Sequence, residues 1–206
     1  MVRQFASAFA LVTLSASIGA QAAPIAGPGQ ITYSGQFGVE SVVAGSFEQT
    51  IDGILDSPGI GGIENGVSVE SLPLSVVYNF DGRYDLTTFK LQTEVGANSL
   101  NAIRIFELTF FAGLDASGSQ IGGVFRSMQT ESTTLQSFDI GRGGYAGVAS
   151  FRFTPITAPN DRVRVEWSEI QFDGSVTPVP EPTTALSLAL GLALLSTPRL
   201  RKWMQR

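Results

Sequence analysis

Val148-Ala149-Ser150-Phe151-Arg152-Phe153-Thr154 alternates apolar and polar side chains without a break. In an extended chain Ala149, Phe151 and Phe153 fall on one side, and Ser150, Arg152 and Thr154 on the other. A period of two with phenylalanine on the inner positions predicts a strand with one face against a core. The same texture extends outward in both directions. Short runs rich in Val, Ile, Phe, Tyr and Thr predict further strands at Ile31–Phe37, Ser41–Gln49, Leu74–Phe80, Leu86–Thr93, Ala102–Phe111, Gln120–Arg126, Thr133–Ile140 and Arg162–Phe172. Asp52-Gly53, Asn65-Gly66, Asp81-Gly82 and Asp173-Gly174 supply turn chemistry between them. No helical run of ten residues interrupts this stretch, and nine short strands predict an all-β, antiparallel β-sandwich. Ser57–Val67, glycine-rich with Pro58, reads as a surface loop. Gly141-Arg142-Gly143-Gly144 reads as a hairpin loop, because no helix pattern follows to complete a phosphate cradle.

The last of these runs carries an internal conflict. Val163, Val165 and Trp167 share one face, whereas Ile170 and Phe172 fall on the other. Either a bulge near Ser168 resets the register or the strand is apolar on both faces. Without a bulge, Glu169 lies inward with Trp167, and a carboxylate placed there requires a partner.

Two terminal segments flank the β region. Met1–Ala22 has Arg3, an apolar run from Phe5 to Ile18, and Ala20-Gln21-Ala22, the pattern of a signal peptide cut between Ala22 and Ala23. At the other end Pro178-Val179-Pro180-Glu181-Pro182 precedes an uncharged run, Thr183 to Thr197, and then the basic residues Arg199, Arg201, Lys202 and Arg206. That order reads as spacer, transmembrane helix and cytoplasmic stop. The run spans 15 residues. As helix that is roughly 22 Å, against a hydrocarbon core of roughly 30 Å. A transient anchor fits this length better than a permanent one. The expected organisation is a signal peptide over 1–22, a β-sandwich over 23–177 and a sorting segment over 178–206.

Composition narrows the chemistry. The chain has no histidine and no cysteine, which removes the Ser-His-Asp triad, thiol nucleophiles, disulfides and the usual zinc ligands. Residues 24–178 hold 17 acidic and 8 basic side chains, net −9, which argues against a nucleic-acid partner. Carboxylate chemistry, alone or with a hard cation, is what remains. The best carboxylate pair, Glu166 and Glu169, faces opposite sides of an unbroken strand, the wrong geometry for flanking one bond.

Three stretches of the β region resemble the discoidin or galactose-binding-like family. They are Gln49-Thr50-Ile51-Asp52-Gly53-Ile54-Leu55-Asp56-Ser57, Asp85-Leu86-Thr87-Thr88-Phe89-Lys90-Leu91, and the run from Arg162 to Gly174 containing Glu169-Ile170. The resemblance implies a jelly-roll-like β-sandwich that binds carbohydrate without catalysis. It also implies a structural calcium ion on Asp52, Asp56, Ser57 and Glu169. The residues by themselves leave Asp52 open as a plain turn residue. Arg83, Tyr84, Arg142 and Tyr145 combine aromatic rings with hydrogen-bond donors in expected loops and are the candidate ligand-binding residues; the same rings could instead pack over the sandwich ends.

The C-terminal segment resembles the PEP-CTERM sorting signal of exopolysaccharide-producing Gram-negative bacteria. Pro180-Glu181-Pro182 matches the motif, the apolar run matches its short membrane span, and Arg199-Leu200-Arg201-Lys202 matches its basic end. This implies an export translocon and an exosortase as partners, an inner-membrane stage, and delivery to the cell envelope, outer surface or biofilm matrix. The functional expectation is a sorted surface or matrix protein binding exopolysaccharide. The alternatives are a structural or adhesive protein that binds other proteins and, third, a carboxylate glycosidase.

Overall fold

The computed structural model describes residues 23–25, 29–38, 41–55, 65–70, 74–93, 102–128, 134–157 and 164–178. Met1–Ala22, Asp56, Ser57 and everything from residue 179 onward lie outside the described residues, and with them the expected signal peptide, sorting motif and membrane segment. Among the described residues no helix is long and apolar enough to cross a membrane.

Among the described residues ten strands form, pairing antiparallel with one another: β1 Ala23–Ile25, β2 Ile31–Phe37, β3 Ser41–Gly45, β4 Val67–Glu70, β5 Ser75–Thr93, β6 Ile105–Phe111, β7 Gln120–Met128, β8 Gln136–Asp139, β9 Val148–Thr157 and β10 Arg164–Val176. The organising strand is β5. Residues 75–80 pair with β2 on one side and β9 on the other. Residues 84–93 pair with β10, Tyr84 also meeting Val148 of β9, and residues 88–91 pair with β8. One strand therefore serves two layers. The first is β2, early β5, β9, β6 and β7; the second is β3, β4, β10, late β5 and β8, with β1 along β10.

The layers face each other through rings on strands that do not pair. Phe151 of β9 and Phe172 of β10 have centroids 4.8 Å apart, and Phe89 of β5 lies 5.2 Å from Phe106 of β6. Phe153 meets Trp167 at 5.5 Å. Phe151 and Phe153 are fully buried, as the alternation from Val148 to Thr154 predicts. Burying such rings on both inner faces is the dominant stabilisation of a sandwich.

Several boundaries differ from expectation, each for a local reason. Asp81-Gly82 does not turn the chain. It lies inside β5 at the corner between layers, where the Asp81 amide donates to the Gln30 carbonyl (2.9 Å) and the Tyr84 hydroxyl donates to Asp81 Oδ1 (2.6 Å). Asp173-Gly174 likewise lies inside β10, at a bulge; a Cβ on Gly174 would press on the Asp85 carbonyl at 2.6 Å, so the glycine permits close strand approach instead of reversal. The expected strand Ser41–Gln49 stops at Gly45, and a short 3-10 helix, Glu48–Ile51, takes over. Strands β1 and β4 escape sequence patterning because three or four residues carry too little period. The conflict in the last strand resolves as a bulge: the pairing of β10 with β5 slips between Trp167 and Glu169, placing Val165, Trp167, Ile170 and Phe172 in one core.

Candidate functional site

The site grows from the segment after β3. The Ser46 amide donates to the Gly66 carbonyl (3.1 Å) and to Gln49 Oε1 (2.9 Å), closing the chain onto the start of β4. Phe47 is buried, stacking on Tyr33 at 5.1 Å and tilting against Trp167 at 5.9 Å. The Thr50 hydroxyl donates to the Phe47 carbonyl (2.7 Å) and lies 2.9 Å from the Tyr78 hydroxyl, deep in the interior. With Ile51 also buried, the 3-10 helix is anchored along one side. Its other side is left to form the wall of a cleft.

That cleft measures ≈ 430 Å³ and is lined by Ile31, Tyr33, Glu48, Gln49, Ile51 and Asp52, among others. The Tyr33 ring is half-buried and its hydroxyl donates to Gln36 Oε1. Burial, reinforced by the nearby Glu48 carboxylate, raises its phenol above the ordinary value. An aromatic face between apolar floor residues and carboxylate, amide and hydroxyl groups is the composition of a small-ligand site.

Behind the cleft wall lies a polar cluster. Asp52 Oδ1 accepts the Ile54 amide (2.8 Å) and Asn65 Nδ2 (3.1 Å), so Asp52 does form the local turn. Asn65 Nδ2 also donates to the Ile54 carbonyl (2.8 Å) and, at 3.4 Å, to the Gln49 carbonyl. The bulge at Ser168 turns Glu169 away from the core face, pairing it with Gln92. It is nevertheless 0 % exposed. Oε1 accepts from Gln171 Nε2 at 3.3 Å, while Oε2 has no close hydrogen-bond partner among the described residues. Burial first, and the Asp52 carboxylate second, push the Glu169 carboxyl up to about 8; the Gln171 amide and the Gly53 backbone amide act the other way.

The expected ligand-binding residues lie elsewhere. Tyr84 sits in β5 rather than a loop, is buried, and gives its hydroxyl to Asp81; its phenol is pushed up to about 12 by burial, then by Asp81. Tyr145 is buried against Phe110 (4.3 Å), with its hydroxyl on the Gly123 carbonyl (3.1 Å). Both rings pack into the sandwich, while Arg83 and Arg142 are exposed. Arg83 donates to the Gly147 carbonyl at 3.3 Å. Asp52 and Glu169, 117 positions apart by number, are brought within electrostatic reach of each other.

The oxygens of the cluster are the Gln49 and Ile54 carbonyls and Asp52 Oδ1, all facing Asn65 Nδ2, with Glu169 and its orphaned Oε2 within electrostatic reach of Asp52. This set fits a hard cation such as calcium. Among the described residues there is no group of three or more acidic side chains at metal-binding spacing, so carbonyl and amide oxygens would complete the shell. The opposite-face objection to Glu166 and Glu169 does not hold, since the bulge puts both off the core face. Glu166 is instead committed to Arg164 Nη2 (2.6 Å) and the Ser68 hydroxyl (2.8 Å). Tyr33, one of four tyrosines whose rings carry a polar handle, lines the cleft, and Asn65 joins the cluster. Asn65-Gly66 carried only a turn signal, and nothing in its spacing pointed to Asp52.

No protein-family model matches the chain, and no curated protein sequence matches it. Solved structures do. The family 32 carbohydrate-binding module of Clostridium perfringens NanJ, solved with galactose, is 13% identical; the match covers 73% of this chain and 99% of that one at a TM-score of 0.52. The C-terminal domain of a Bacteroides fragilis chitobiase is 15% identical over 72% of this chain and 96% of its own, TM-score 0.52. A Streptococcus pneumoniae fucose binding module gives 12%, 73%, 94% and 0.53. At these identities the likeness establishes the fold alone, a β-sandwich. The matches span nearly the full length of these three structures.

Proposed function

We propose that this chain is an exported, non-catalytic carbohydrate-binding protein, carried to the cell surface or extracellular matrix by its PEP-CTERM segment. The observation that supports it most directly is the ≈ 430 Å³ cleft beside Tyr33, built on a sandwich whose structural relatives are sugar-binding modules. Tyr33 would offer its ring to a pyranose face, and Glu48, Asp52 and Thr32 would accept or donate to hydroxyls. Calcium, held by Asp52, Glu169 and neighbouring carbonyls together with Asp56 and Ser57, would fix the wall of the cleft and do no chemistry. Exopolysaccharide is the proposed ligand class. Glycan arrays and pull-down on native exopolysaccharide test this: wild type binds, Tyr33→Ala loses binding, and failure of wild type with or without calcium sinks the carbohydrate reading. Loss with Arg83→Ala or Arg142→Ala instead would move the ligand to the opposite residues.

Sorting is tested separately. Cleavage between Ala22 and Ala23 would leave β1, which begins at Ala23, intact on β10. Exosortase processing predicts a mature C-terminus near Pro180–Pro182 in the native host, by mass spectrometry; an intact Arg206 refutes it. A second reading, adhesion to other proteins, draws on β3, an edge strand exposed throughout with Val42 and Val43 on it. Lys substitutions at both valines would abolish protein capture on that reading and leave sugar binding alone.

A further inference from the structure

We infer that the cleft beside Tyr33 takes a sugar bearing a free, protonated amino group, so that the glycan this protein binds carries unacetylated amino sugars. This rests on the carbohydrate reading above and names the substrate class of the same cleft. Glu48 and Asp52 each bring a carboxylate to the wall, and no basic side chain stands among the described residues lining it. An ionised carboxylate accepts hydrogen bonds and donates none. The Tyr33 hydroxyl gives its proton to Gln36 Oε1, which leaves the phenol oxygen facing a ligand as an acceptor. Glu48 is exposed while Phe47, Thr50 and Ile51 are buried, so its carboxylate is carried on an anchored backbone at the solvent edge of the cleft.

The ring and the charge favour the same ligand. Phe47 covers one face of Tyr33, with the two planes only 18° apart, so a ligand meets the other face or the edge. A cation is drawn to the negative face of an aromatic ring. Burial raises the Tyr33 phenol most, and the Glu48 carboxylate adds to it, so that charge acts at the ring itself. An ammonium supplies three donors and a compact positive charge to such a wall. An acetamido group supplies one N–H and no charge, and a uronate or sulfate would set a like charge against Glu48. The exposed cations that an acidic glycan would seek, Arg83 and Arg142, are not among the cleft's lining residues. The chain's net charge of −5 attracts ligands of the same positive sign from a distance.

Calorimetric titration of the full chain in calcium chloride tests this with chitosan oligosaccharides, the same oligosaccharides after N-acetylation, and alginate oligosaccharides. Wild type is expected to bind the amine-bearing sugars about tenfold or more tighter than the acetylated ones. The advantage should shrink in high salt and as rising pH neutralises the amine, and alginate should bind weakest. Glu48→Gln should bring the affinity for the amine-bearing sugars down to that for the acetylated ones. Glu70→Gln removes the same charge from an exposed position on β4 outside the cleft lining, and should keep the preference. Equal wild-type affinity for the two chitosan forms overturns the inference, as does tighter binding of alginate. An equal fall in preference in Glu48→Gln and Glu70→Gln also overturns it, because the attraction then belongs to the whole chain. Binding of acetylated or neutral glycans with no amine preference removes only this inference and leaves the carbohydrate reading standing. Failure to bind any glycan, on arrays as well as in titration, removes both.

Discussion

The aromatic interior and the corner around Glu169 are both buried, yet they are held in opposite ways. Phe172 touches Phe80, Phe89, Phe110 and Phe151, each ring pair 4.8–6.2 Å apart, and no single contact is indispensable to direction. Glu169 has one hydrogen-bonded oxygen, one orphan and a second carboxylate nearby. The first region tolerates imprecision and resists only loss of volume. The second depends on few directional partners and on charge, so solution conditions reach it.

Truncating the interior should cost most. Phe172→Ala is expected to remove about 3–5 kcal/mol in denaturant unfolding, with or without calcium, because it opens a cavity among rings from both layers. A calcium-dependent loss at this position would erase the distinction between the regions. Gly66→Ala comes next, at roughly 1–3 kcal/mol, from a left-handed backbone and a blocked approach to β10.

Glu169→Gln should change the pH profile more than the maximum stability. A carboxyl at about 8 in the fold, against 4.5 ordinarily, keeps its proton while the unfolded chain has lost it. In chelator its contribution is complete below pH 4.5 and is lost as the pH rises to about 8. Glu169→Gln should flatten the melting-temperature decline over that window; an unchanged slope would place the titration elsewhere. Smallest of all, Lys90→Ala removes a 2.7 Å ion pair with Asp173 on the partly exposed outer face and should cost about 1 kcal/mol or less, diminishing in high salt.

Legibility in the sequence follows the same division. Phe151 and Phe153 announce their face because a strand period is local, and β2 runs from Ile31 to Phe37 as its composition predicts. Asp81-Gly82 and Asp173-Gly174 mislead, since the same dipeptide serves a turn, a corner or a bulge depending on what pairs with the flanking residues. The bulge at Ser168 was visible as a break in alternation but not its consequence, that Glu169 would leave the core face and still be buried. The burial of Tyr84 and Tyr145 was open to either reading until the packing of Phe80 and Phe110 was known.

By itself, then, the sequence determined the β texture, the absence of histidine and cysteine chemistry, and a terminal pattern read as export and sorting, because each depends on residue type and short-range order. Tertiary structure alone decided that β5 serves two layers, that Tyr33 rather than Tyr84 or Tyr145 lines a cleft, and that Asn65, Asp52 and Glu169 come together. Those facts rest on contacts between residues far apart along the chain, whose free energy is realised only when the layers close.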